Sequence, residues 1–111
     1  MAAYASECAG RYGKTREFLD VLFTHQDSIG KVGWASLARR AGVAVRDTIK
    51  LPNCMKEKQI IDRVVADSAA GARIGVRGTP TVIINQWRLT GTPTFEMVDS
   101  IVKSLLPKNG A

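Results

Sequence analysis

The stretch RIGVRGTPTVIINQWRLTG, Arg73 to Gly91, decides how the rest of the chain is read. Thr81-Val82-Ile83-Ile84 is β-branched throughout, which favours a strand over a helix. A strand apolar at every position is expected to be covered on both faces. Asn85-Gln86 supplies a turn, and Trp87-Arg88-Leu89 returns as a second strand, so the segment reads as a hairpin. A proline stands directly in front of it. From the residues alone, Thr79-Pro80 is either a trans proline opening a strand, where it is tolerated, or a cis bond. A cis form costs only about 0.5–1 kcal/mol before proline, against about 2.5–4 kcal/mol elsewhere.

Upstream the chain is helical. Ala2 to Tyr12 is alanine-rich, free of proline and followed by Gly13. TREFLDVLFTHQ follows, with Phe18, Leu19, Leu22 and Phe23 on one helical face and Thr15 placed to cap its start. Trp34, Leu37, Ala38 and Ala41 recur at helical spacing up to Gly42. Val45 to Ile49 forms a short helical stretch that should stop before Pro52. The longest periodic run extends from Met55 to Arg73, with Ile60, Ile61, Val64, Val65, Ala69 and Ala72 as one stripe and Gly75 as its stop. After the hairpin, Thr92-Pro93-Thr94 opens a last helix, with Pro93 suited to a first-turn position. Phe95, Val98, Ile101, Val102 and Leu105 form its apolar face, and Pro107 ends it. The order is several helices, a hairpin and one helix. Two strands make a poor sheet by themselves, so Thr81–Ile84 is expected to have a partner along its other edge.

Composition narrows the function classes. One small domain is the natural reading of 111 residues, 45% of them hydrophobic. No stretch approaches the roughly 20 apolar residues of a membrane span. The opening MAAYASECAG lacks the basic start and long apolar run of a signal peptide. Net charge is +6, yet the basic residues are dispersed, and a solvated basic surface is favoured over nucleic-acid binding. Two cysteines and one histidine offer no zinc set and no Cys-x-x-Cys, so neither a metal nor a cofactor is expected. His25 is read as a surface or capping residue and Trp34 and Trp87 as packing residues; Arg73, Arg77 and Arg88 flank the proline loop and are read by default as solvated charge, with a positive rim as the alternative.

These residues together resemble the DsbA-like branch of the thioredoxin superfamily. GVRGTPTVIIN is similar to that family's cis-proline loop and following strand. RYGKTREFLDVLFTHQ, LARRAGV and NCMKEKQIIDRVVADSAAGARIGVRGTP are similar to its insertion helices, and GTPTFEMVDSIVKSL to its closing helix. The resemblance implies an α-rich α+β architecture, an incomplete thioredoxin-like fold of DsbA type. Residues 1–75 would be its helical insertion, and residues 76–106 its cis-proline loop, hairpin and final helix, within one partial domain. In that family a strand, a Cys-x-x-Cys at a helix N-terminus and a second strand come first. None is present in this sequence, so no residue here matches the catalytic nucleophile, and a truncated member is expected.

The resemblance implies protein disulfide formation or exchange, with a fragment inactive by itself. Gly78, Thr79 and Pro80 would meet extended, cysteine-bearing client polypeptides by strand-like pairing. A membrane redox partner and an extracytoplasmic or periplasmic location are implied in the same way. Cys8 and Cys54 stand where some members carry cysteines. They are either a structural disulfide, two reduced buried side chains or, least favoured, a redox pair. Two other function classes remain open. One is a non-catalytic module that pairs through the edge of residues 81–84, forming a homodimer. The other is a relative of kappa-type glutathione transferases and isomerases.

Overall fold

The computed structural model describes residues 1–107. Seven α-helices and one hairpin follow in order. They are α1 Ala2–Gly10, α2 Thr15–Thr24, α3 Trp34–Arg40, α4 Val45–Thr48, α5 Leu51–Cys54, α6 Lys58–Arg73, β1 Thr81–Ile84, β2 Trp87–Thr90 and α7 Phe95–Leu105, with a 3-10 turn at Gln26–Ser28. No described helix is long and apolar enough to cross a membrane. The chain divides into two compact units, residues 1–69 and residues from 70 onward, with the division inside α6.

The first unit owns the hydrophobic core. Ala5, Cys8 and Ala9 of α1 pack with Phe18 and Leu22 of α2, with Leu37 and Ala38 of α3, and with Leu51, Cys54 and Ile60. The small residues of α1 let neighbouring helices approach closely. Phe18, Leu37 and Leu51 supply the largest fully buried side chains. Cys8 and Cys54 are joined in a disulfide with a Cα separation of 6.1 Å. Both are almost wholly buried, so the bridge ties α1 to α5 through the middle of the core. Three residues beyond each cysteine, the Arg11 guanidinium makes a two-pronged contact with the Glu57 carboxylate at 2.7 and 3.1 Å.

Several details differ from expectation. The first helix ends at Gly10, not Tyr12, and Gly13 takes a positive φ in the turn that follows. Thr15 does not cap α2: the cap position is Lys14, which makes no side-chain bond, and Thr15 is already helical. Leu19 and Phe23 share the predicted apolar face, but only Phe18 and Leu22 are buried, and Phe23 is 72% exposed. The helical stretch from Val45 does stop before Pro52, at Thr48, but Pro52 itself stands in the first turn of a further helix, α5, where a missing N–H leaves nothing unpaired. The run from Met55 is therefore broken, and α6 starts at Lys58. Of its predicted stripe only Ile60 is buried.

In the second unit, β1 and β2 pair antiparallel with Thr81 opposite Thr90 and Ile84 opposite Trp87. Asn85 turns the hairpin with φ 52, a conformation its short polar side chain tolerates. Predicted burial on both faces of β1 is not seen: Ile83 is 44% exposed, and among the described residues β1 pairs with β2 alone. Helix α7 begins at Phe95, two residues later than a first-turn Pro93 would place it. Thr94 is its cap, accepting a bond from the Met97 amide at 3.1 Å, and Pro93 lies before the cap. Phe95 on its apolar face is 78% exposed, and no described residue after Ala69 is buried.

Candidate functional site

The segment between α6 and β1 is shaped by glycine and threonine. Helix α6 closes with Gly75 at φ +79. The Gly75 amide donates to the Ala72 carbonyl at 3.0 Å, and the Val76 amide to the Gly71 carbonyl at 3.0 Å. This pair of backward bonds is a Schellman ending, which needs a residue free to take the left-handed conformation. A side chain at Gly75 would meet the Arg88 guanidinium, since a Cβ there stands 3.2 Å from Nη1. Arg88 Nη1 instead donates to the Gly75 carbonyl at 3.3 Å, so the second strand of the hairpin holds the helix end.

The loop then turns into the strand through Gly78-Thr79-Pro80. The Thr79–Pro80 peptide bond is cis. The Thr81 hydroxyl donates to the Gly78 carbonyl at 2.7 Å, closing a small ring around the bond. On the far side, the Gly91 amide donates to the Pro80 carbonyl at 3.1 Å. That last bond fixes the phase of the ladder. Antiparallel pairing alternates backbone groups that face the partner with groups that face away. With the Pro80 carbonyl directed at β2, the N–H and C=O groups of Thr81 and Ile83 are directed to the outer edge of β1. Among the described residues they are unpaired donors and acceptors, on a strand, Thr81–Ile84, that bears no charged side chain.

An open cavity of ≈ 450 Å³ occupies this end of the hairpin, with Gly75, Arg77, Thr79, Pro80, Thr81 and Arg88 in its wall. Gly78, Thr79 and Pro80, the site residues singled out in the sequence, are thus neighbours in one cleft. Arg77 and Arg88 join them, whereas Arg73 does not line it. Sequence reasoning gave Thr81, Thr90 and Gly91 no place in the site. The signal for Thr81 was present, because a threonine three residues after glycine is positioned for a backbone bond of this type.

The other sequence candidates play structural parts. Cys8 and Cys54 are locked in the core disulfide. His25 ends α2, where both its amide and its Nδ1 approach the Val21 carbonyl, at 2.9 and 3.2 Å. Trp34 packs against the core, and Trp87 is 48% exposed at the hairpin turn. A second cavity, of ≈ 750 Å³, lies in the first unit. Its wall carries both signs of charge, with Arg63 3.6 Å from Glu7 and Asp67 nearby, so it is not a site of one sign.

Residues 1–104 match the model of a family described as thioredoxin. No curated protein and no solved structure matches the chain.

Proposed function

This chain belongs to the thioredoxin family, and on that premise we propose that it serves thiol–disulfide exchange on extended, cysteine-bearing polypeptides. Its part is to dock the client, with Gly78, Thr79 and Pro80 as the docking segment in the manner of the DsbA-like branch. The observation that carries the reading is the cleft at Gly78–Thr81, which opens beside an unpaired strand edge. An extended client gains backbone hydrogen bonds there, from Thr81 and Ile83, without any demand on its sequence.

The attacking thiolate must come from elsewhere than these 111 residues. The only two cysteines are bonded to each other, and thiolate exchange at a disulfide requires access to a sulfur. The reading therefore predicts docking without turnover. A photo-crosslinking residue in place of Thr79 should capture a reduced, unfolded polypeptide, whereas the same residue in place of exposed Glu17 should not. Equal capture at both positions, or none at either, would rule docking at Thr79 out. Oxidation of a dithiol peptide by the chain at the rate of a complete oxidoreductase would equally overturn the assignment.

A second reading is self-association through the outer edge of β1, favoured by the absence of charge on Thr81–Ile84. It predicts a dimer that an Ile83→Lys substitution dissolves. A single monomeric species in sedimentation equilibrium at high concentration would refute it.

A further inference from the structure

The cleft beside Thr79 has a charge of one sign. Its two charged lining residues are Arg77 and Arg88, and no carboxylate stands in its wall. The sequence reinforces this: from Ser68 to Phe95 it contains Arg73, Arg77 and Arg88 and no aspartate or glutamate. Some basic residues elsewhere have acidic partners, as Arg11 has Glu57, Arg63 has Glu7, Lys58 has Asp62 and Lys103 has Asp99, while others, such as Arg16, Arg39 and Arg40, have none among the described residues. Among the described residues, Arg77 and Arg88 form no ion pair. Arg88 spends one donor on the Gly75 carbonyl. A guanidinium has five N–H donors in a planar fork, so most of them stay available to a ligand.

The neighbouring groups say what such a ligand looks like. The same cleft includes Thr81, whose backbone N–H and C=O point to the outer edge of β1. A ligand occupying both features is a peptide that lies along the edge and carries an anionic group on a side chain directed at the arginines. A carboxylate suits an arginine fork in shape as well as charge. We infer that this cleft selects clients with an aspartate or glutamate in the docked segment, its carboxylate held between Arg77 and Arg88. The inference rests on the docking role proposed above and assigns it a substrate class: acidic, extended polypeptide.

The test uses the full chain, 15N-labelled, with two short peptides acetylated and amidated at their ends so that no terminal carboxylate competes. Both hold serine in place of cysteine. One is neutral, and the other carries a single aspartate in place of threonine. Amide shifts at Gly78–Ile84 locate binding, and their titration gives the affinities. The acidic peptide is expected to bind there roughly fivefold more tightly, the effect of one well-formed exposed ion pair. Added salt should erase the difference. Arg77→Gln, at a residue with no side-chain hydrogen bond or ion pair among the described residues, should lower the acidic peptide's affinity more than the neutral peptide's and so shrink the preference. Arg88→Lys should weaken it by losing the fork. Equal affinity for the two peptides at Gly78–Ile84 overturns the acidic preference and leaves the docking role standing. Shifts from neither peptide in that segment overturn both. A preference undiminished in both Arg77→Gln and Arg88→Lys overturns the assignment to these arginines.

Discussion

Removing the Cys8–Cys54 bridge is the perturbation whose size follows most directly from the structure. The bond closes a loop with a sequence separation of 46. Chain-entropy reasoning assigns a loop of that length about 4 kcal/mol, and measured disulfides commonly contribute about 2–4 kcal/mol. Stability of about 0.05–0.15 kcal/mol per residue gives the 69-residue first unit only roughly 3–10 kcal/mol in all. Cys8→Ala/Cys54→Ala should therefore lose a large share of the stability of that unit. In a unit of this size the loss corresponds to a fall in Tm of roughly 10–30 °C.

Urea unfolding followed by tryptophan fluorescence measures this, in a Trp87→Phe background so that only Trp34, packed against the core, reports. Wild-type chain unfolded and refolded under reductant separates the cross-link from the packing of the sulfurs. It should lose most of what the double alanine variant loses, because the reduced thiols still fill the same space. With reductant added to the folded chain, free thiols should emerge only as fast as the core opens, since both cysteines are buried. A stability loss below about 1 kcal/mol would mean that packing alone holds α1 against α5. Rapid reduction in the folded state would return the pair to the list of exchange-competent disulfides, against the docking-only reading.

Two further outcomes follow from local geometry. The hydrogen bonds from Arg11 hold the Glu57 carboxyl below the ordinary carboxylate range. A carboxylate with a lowered folded value stabilises the fold above its unfolded value, and that contribution is lost as pH falls through the folded value. Glu57 should therefore titrate in NMR below the ordinary glutamate value and move up towards it in Arg11→Gln; a midpoint already at the ordinary value in the wild type refutes the pairing in solution. At Gly10, a Cβ would stand 2.6 Å from the Thr15 hydroxyl oxygen. Alanine in a helix is ordinarily favoured over glycine by up to about 1 kcal/mol. Gly10→Ala should here cost about 1–3 kcal/mol through overcrowding, and in a Thr15→Ala background the sign should reverse. Stabilisation by Gly10→Ala alone, seen as a higher urea midpoint, would show that the turn after α1 yields freely.

The parts legible in the sequence were those governed by local chemistry. The β-branched run fixed β1, the Asn85-Gln86 pair fixed the hairpin register, and the Gly75 stop was read correctly because a helix end needs a left-handed residue. Periodicity found the inward face of α2 but not the fate of Leu19 and Phe23. A hydrophobic stripe states which side chains share a face, and whether a neighbour covers each of them is decided by tertiary packing. The same limit applies to β1. Its composition called for cover on both faces, and the described residues supply one partner strand and no cover for Ile83. Thr15 failed for another reason: a threonine beside a helix start is either cap or first residue according to a shift of one position. Pro52 marked the end of α4 correctly, but proline also opens a helix by the same missing N–H, and that second role, in α5, was not read.

The candidate site shows how far residue type alone reaches. Gly78, Thr79 and Pro80 entered as contiguous residues, and their neighbourhood needed only the short loop that contains them. Arg88 is different. It reaches the cleft because the register places it opposite Ile83 and its side chain then returns to the Gly75 carbonyl, a contact across 13 positions. The sequence held a trace of this in the acid-free stretch from Ser68 to Phe95. Read as composition, that stretch carried solvated charge by default and a positive rim only as the alternative. Read with the ladder phase set by the Gly91–Pro80 bond, it becomes directional: backbone donors and acceptors on one edge, guanidinium donors at its end, and no internal carboxylate to satisfy them. A polypeptide that meets only the edge leaves the arginines to solvent, and a small anion that meets only the arginines leaves the edge unpaired. An extended acidic segment answers both, so the occupant is constrained by two independent features of a single hairpin.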